Sequence, residues 1–209
     1  NLPHIAQTQE FRPGKEGDPV LGRSIWGYRH TVLGALGIFL YVGVEVGLAS
    51  IAVNYFKAQG VDSASTASFL VSLYWGGALV GRLLGSWVLT KIKSGKLLGA
   101  FGFAAALFVV VSMLTTGQVA IWAIIICGFF NSIMFPNIFA LGIAGLGPMT
   151  SKGSGLIMTA VVGGAIVPLL IGKLADMTSL QHSLVIPIVC YLFIAYYGLW
   201  GSKQKRSAA

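Results

Sequence analysis

Charge is what this chain has least of. Asp, Glu, Lys and Arg make up 10% of its 209 residues, against roughly 25% in soluble domains, while 56% are hydrophobic and the mean hydropathy is +0.81. A soluble fold of this length needs more charge to cover its surface, so a water-soluble set of buried helices is set aside. After Lys96 the next charged side chain is Lys152. That run is too long for one bilayer crossing, which takes about 20 apolar residues, and the polar TTGQ at 115–118 divides it in two. The apolar runs do not alternate with polar residues, which excludes the strands of a transmembrane barrel. Cysteine is scarce too: Cys127 and Cys190 both fall inside apolar runs, where they read as small apolar residues and not as a disulfide framework. The three histidines, His4, His30 and His182, flank the apolar runs. With no histidine in a span, no metal-ligand cluster and no phosphate loop, the chain reads as no enzyme, with no cofactor and no metal.

What is there is apolar length. The runs predict an all-α membrane protein of six helices over 31–57, 64–90, 97–115, 119–146, 152–175 and 182–201. Residues 1–30 read as a connector and 202–209 as a tail, leaving a six-helix domain over 31–201. The connector turns at its end into RSIWGYRH, residues 23–30, with Trp26 and Tyr28 suited to the headgroup level and Arg23 and Arg29 to lipid phosphates. A connector at the start, and a first residue that is Asn and not Met, lead us to expect a piece of a longer protein.

The formal net charge is +8, and its distribution matters more than its sum. Arg12, Lys15, Arg23 and Arg29 share one side with Lys91, Lys93, Lys96, Lys152, Lys203, Lys205 and Arg206. The other side holds Lys57 and Lys173 beside Asp62 and Asp176. By the positive-inside rule the first side, with both ends of the segment, faces the cytoplasm. The basic balance thus reports topology and contact with the lipid bilayer, and implies no nucleic-acid partner.

An internal repeat organises the spans. GGALVGRLLG at 76–85 and GGAIVPLLIG at 163–172 agree at six of ten positions, at an offset of 87 residues. The match carries helix 2 onto helix 5, which cross in opposite senses, so helices 1–3 and 4–6 read as two inverted three-helix repeats. Gly77, Gly81 and Gly85 lie at i, i+4 and i+8 on helix 2 and form a close-packing face, as do Gly43 and Gly47 on helix 1. Pro136 and Pro168 remove backbone donors inside helices 4 and 5, leaving the carbonyls of Ser132 and Gly164 without their usual partners. Bare backbone at membrane depth is tolerated where it is buried in protein or lines a watery cavity, which makes these the candidate gating helices.

Polar residues at membrane depth are the candidate site. Glu45 lies about 15 residues into helix 1, near the midplane at about 1.5 Å per residue. An acid there is costly and usually faces a bundle interior or an aqueous path. Asn131 and Asn137 bracket Pro136 and carry both donors and acceptors, which suits sugar hydroxyls, and the proline bend is expected to give them access to a cavity. Asn54 falls on the face of Glu45. Tyr41 and Trp75 offer flat surfaces for a sugar ring, and Arg82 is placed to snorkel toward the inner surface.

Four motifs in order on helices 1, 2, 4 and 5, YVGVEVG, GRLLGSWVLTK, FFNSIMFPNIFALGI and SGLIMTAVVGGAIVPLLIGKLAD, resemble the C-terminal half of the fucose, galactose and glucose proton symporters of the major facilitator superfamily. The resemblance implies half of a major facilitator fold in a bacterial inner membrane, completed by a missing N-terminal six-helix half. It implies secondary active transport of a hexose, glucose or galactose or else fucose, coupled to protons by alternating access. Glu45, where the fucose branch has an amide, and Phe135, where it has a tyrosine, point to the glucose and galactose branch. GRLLGSWVLTK lacks the acid of the superfamily's loop signature, which leaves gating salt bridges around Arg82 unsupported. The alternatives are half of a non-sugar transporter of the same superfamily, or a non-transporting membrane module.

Overall fold

A computed structural model describes residues 24–89 and 91–203 of the chain; the connector before Ser24 and the tail after Lys203 lie outside the described residues. Six segments are long and apolar enough to cross a membrane. The first is α1 (Arg29–Ala58), the second α2 (Ala64–Leu89), the third α3 (Ser94–Leu114). The fourth, Gly117–Ile143, consists of α4 (Gly117–Asn131) and α5 (Met134–Ile143). The fifth, Gly147–Met177, holds α6 (Thr150–Thr159) and α7 (Gly163–Met177), joined by a 3-10 turn at Ala160–Val162. The sixth, Leu180–Gly201, comprises α8 (Leu180–Ser183), α9 (Val185–Tyr196) and a π-helical turn at Tyr197–Gly201.

These bounds follow the apolar runs because, without water, a spanning backbone has to satisfy its hydrogen bonds within the helix. The exits are set by residues that stop a helix. After α1, Gln59 caps and Gly60 follows at φ +96°, a left-handed conformation that costs glycine little. Side chains then tie the loops together. Gln59 Oε1 accepts from the Gly117 amide at 2.8 Å, and Gln181 Nε2 donates to the Thr115 carbonyl at 2.9 Å. At the opposite end, Thr31 donates to the Gly142 carbonyl at 2.8 Å and His30 Nε2 donates to that of Ala144 at 2.9 Å. His30, which the sequence leaves outside the first span, is the second residue of α1 and is buried there, covering the Ala144 carbonyl just past the end of α5. Arg29 is not free for lipid phosphates alone: its Nη2 donates to Tyr196 Oη at 3.2 Å.

The packing has the symmetry that the repeat predicts. The first span lies against the fifth and the second against the fourth; the third lies against the sixth and the first against the fourth; the third touches the fourth and the first touches the sixth. Exchanging spans 1 with 4, 2 with 5 and 3 with 6 maps these six pairs onto one another; among the described residues, the contact of the fifth span with the start of the sixth has no equally close counterpart between the second and third. The glycine faces make it quantitative. A Cβ on Gly77 would meet Ile125 and Phe129, one on Gly81 would meet Phe129 and Ser132, and one on Gly85 would meet Ile133. Across the other pair, Gly163 lies on Phe39, Val167 on Gly43 and Ile171 on Gly47. Residues 77, 81 and 85 therefore correspond to 163, 167 and 171, an offset of 86 and not the 87 of the matching sequence. One residue is about 100° of helix rotation, so the best alignment of letters puts the wrong face of the helix inward. Gly172, the sequence match of the packed Gly85, faces open space.

Candidate functional site

The fourth span is broken near its middle. It predicts as one helix with Pro136 inside; instead α4 ends at Asn131 and α5 begins at Met134, so Pro136 occupies the first turn of a new helix, where a missing N–H costs little. The break leaves the carbonyls of Asn131 and Ser132 without helical donors. Two side chains from other spans take them. Tyr41 Oη on α1 donates to the Asn131 carbonyl at 2.9 Å, and Arg82 Nε on α2 donates to the Ser132 carbonyl at 3.2 Å. Arg82 thus does more than snorkel: it is fastened to the carbonyl that Pro136 deprives of its amide.

Tyr41 also reaches Glu45, one turn along α1, where residues four apart share a face. Its hydroxyl donates to Glu45 Oε1 at 2.7 Å. Tyr41 is only 1% exposed, whereas Glu45 keeps part of its surface open. On the far side of the break, Asn131 Nδ2 donates to Tyr74 Oη at 2.7 Å. A chain of polar groups therefore runs from Glu45 through Tyr41 to Asn131 and Tyr74, joining the first, fourth and second spans. Beside it three buried polar atoms, Asn131 Oδ1, Ser132 Oγ and Asn137 Nδ2, have no hydrogen-bond partner among the described residues. A bare buried polar atom costs about 1–3 kcal/mol, and here three occur within seven residues at one break.

Several expectations change. Tyr41 is sealed and engaged through its hydroxyl, so its ring presents no open face here. Asn131 and Asn137 are 0% and 3% exposed, so the bend at Pro136 does not open them to a cavity here. Trp75 is 46% exposed, with its ring edge-on to Tyr74 at 5.5 Å. Asn54 does not share the face of Glu45: nine residues are two and a half turns of helix, which puts it on the opposite side of α1, exposed and apart from the cluster. Pro168 lies within α7 without ending it, and the irregular turn of the fifth span falls earlier, at Ala160–Val162. The sequence does not single out Tyr74 or Phe139, and of Ser132 it points only to the carbonyl. Phe135 and Phe139 stack at 6.5 Å with ring planes 5° apart, both partly buried. Their spacing of four in FPNIF was the available signal.

No family model matches the chain. Over 196 residues it is 47% identical to the glucose/galactose transporter of Brucella abortus, covering 91% of this chain and 48% of that protein. A putative glucose/galactose transporter of Helicobacter pylori is 42% identical, with 89% and 47% covered, and the L-fucose-proton symporter of Escherichia coli is 30% identical, with 86% and 41% covered. Among solved structures, the E. coli fucose:proton symporter FucP superposes with a TM-score of 0.80 at 28% identity, over 86% of this chain and 44% of that one. FucP in its outward conformation, described as a major facilitator superfamily transporter, superposes with a TM-score of 0.77 over 81% and 42%. The chain has the fold of one half of a major facilitator superfamily transporter. It spans about half the length of the curated relatives it matches, and the relatives named here are transporters, not enzymes.

Within this half-fold, the packing offset of 86 makes Glu45 the counterpart of Asn131. The acid and the amide occupy equivalent positions in the two repeats, and the Tyr41 hydroxyl lies between them, bonded to the carboxylate of one and the backbone of the other.

Proposed function

We propose that the chain is the C-terminal half of a hexose–proton symporter that works by alternating access with a six-helix partner half, in the inner membrane of a bacterium with its basic end in the cytoplasm. The observation that carries the reading is Glu45: a partly open carboxylate midway along a membrane span, tied by Tyr41 to a broken helix that holds three unpartnered buried polar atoms. Such a group is expensive in lipid and characteristic of substrate and proton paths. A break in a span beside a polar cluster is the usual construction of a transporter binding site. The glucose, galactose and fucose in the relatives' names supply the substrate class. Glu45 accepts hydrogen bonds from sugar hydroxyls or tunes the proton site, and Phe135, edge-on to Tyr41, with Phe139 stacked on it and Trp75 edge-on to Tyr74, offers apolar surface for the sugar ring.

The test is uptake of labelled glucose, galactose and fucose at two external pH values, in transporter-deficient cells making this chain with and without the matching N-terminal half. Acid-stimulated uptake of one hexose only with both halves present is the expected result. No uptake with both halves inserted overturns the hexose reading in favour of another substrate, or of a module that does not transport.

A further inference from the structure

Tyr41 has one hydroxyl hydrogen and two acceptors in reach of it. Glu45 Oε1 is 2.7 Å away and the Asn131 carbonyl 2.9 Å away. One O–H cannot align well on both, and Tyr41 is 1% exposed. The two acceptors therefore compete. An ionised carboxylate wins, because charge-assisted hydrogen bonds are roughly twice as strong as neutral ones. A protonated Glu45, or one whose lone pairs are taken by a ligand's hydroxyls, gives the hydrogen back to the carbonyl. That carbonyl belongs to the last residue of α4, at the break, and its helical donor is already lost.

We propose that Tyr41 is a positioning residue that passes the state of Glu45 to the break in the fourth span. When Glu45 is charged and empty, the Asn131 carbonyl is under-bonded and the α4–α5 junction is loose; when Glu45 is neutral or liganded, Tyr41 closes the carbonyl and the junction is tight. The assignment rests on the proposed function only in taking Glu45 as the group that meets proton or sugar. Among the described residues Tyr41 is the one side chain hydrogen-bonded to Glu45, while Arg82 acts on that carboxylate through its charge. From the second span, Arg82 presents a positive charge but is held on the Ser132 carbonyl, and Tyr74 is engaged with Asn131 Nδ2. In α4, Cys127 Sγ donates to Tyr191 Oη of α9 at 3.5 Å. The fifth span meets α1 here through Gly163 and Val167, which do not titrate.

The experiment is amide hydrogen exchange over residues 130–138 in the full two-half transporter at one fixed pH, comparing wild type, Glu45→Gln, Tyr41→Phe and the double variant. Without sugar and at an alkaline pH where Glu45 carries its charge, Glu45→Gln weakens the competing acceptor and is expected to slow exchange at the junction about fivefold, the worth of one net hydrogen bond. Tyr41→Phe is expected to speed it, and in that background Glu45→Gln changes nothing. A merely structural Tyr41 would leave the effect of Glu45→Gln intact in both backgrounds, and that result overturns the proposal, as does no effect of Glu45→Gln in the wild type. Should Tyr41→Phe fail to fold, Glu45→Asp decides: it keeps the charge but withdraws the carboxylate from Tyr41, so slowing supports the relay and unchanged exchange overturns it. Hexose uptake by the same wild-type preparation is read separately. If it is absent the sugar reading falls, while the exchange pattern still judges Tyr41.

Discussion

Glu45 and Arg82 are costly in lipid for the same reason and are settled by different means. Arg82 spends its charge on one backbone carbonyl, that of Ser132, which has lost its amide to Pro136. Arg82→Ala uncovers that carbonyl and is expected to cost about 1–3 kcal/mol, read as a lower melting temperature of the purified transporter, while Arg82→Lys recovers part of the loss. Among the described residues Glu45 is hydrogen-bonded through Tyr41, and it stays partly open. Glu45→Gln keeps its volume and removes its charge. In the full-length transporter we expect slower hexose uptake that no longer responds to external pH; unchanged rate, affinity and pH response would remove Glu45 from the mechanism.

At the scale of elements, close packing of the second span on the fourth and of the fifth on the first rests on glycine, and the structure ranks those glycines. Gly163 sits on the backbone of Phe39, whereas Gly172 faces open space nine residues on. Gly163→Ala should force the two helices apart at about 1–3 kcal/mol, and Gly172→Ala should be neutral or stabilise by about 0.5–1 kcal/mol through helix propensity. Equal shifts in melting temperature for the two would contradict the 86-residue packing offset. The elements themselves were legible in the sequence, since a bilayer demands apolar length and little else; the first span predicts as 31–57 and forms Arg29–Ala58. The break was legible only in part. Pro136 announces a lost hydrogen bond, but nothing local says that the chain will restart its helix at Met134, because that depends on Tyr41 and Arg82 arriving from other spans to cover the carbonyls.

For the whole molecule, charge divides the described residues by end. Arg29, Lys91, Lys93, Lys96, Lys152 and Lys203 gather at one end, and Asp62 and Asp176 lie with Lys57 and Lys173 at the other. If the basic end is cytoplasmic, a cysteine placed at Ser63 reacts with a membrane-impermeant maleimide in intact cells and one placed at Ser94 reacts only after the membrane is opened. Cys127 and Cys190 are buried and leave a low background. The reverse pattern would invert the topology.

By itself the sequence determined that this chain lives in a bilayer, crosses it six times, repeats itself once and carries an acid at mid-depth, because each of these follows from composition, apolar length and charge placement along one dimension. Only the tertiary structure decided which faces of the helices meet, and with them the true offset of the repeat, the pairing of Glu45 with Asn131, and the sealing of Tyr41 between them. Those depend on rotation about helix axes, where one residue is about 100°, and on which side chain from a distant span reaches a bare carbonyl. Neither quantity is written in any single segment; both exist only once the six helices are packed.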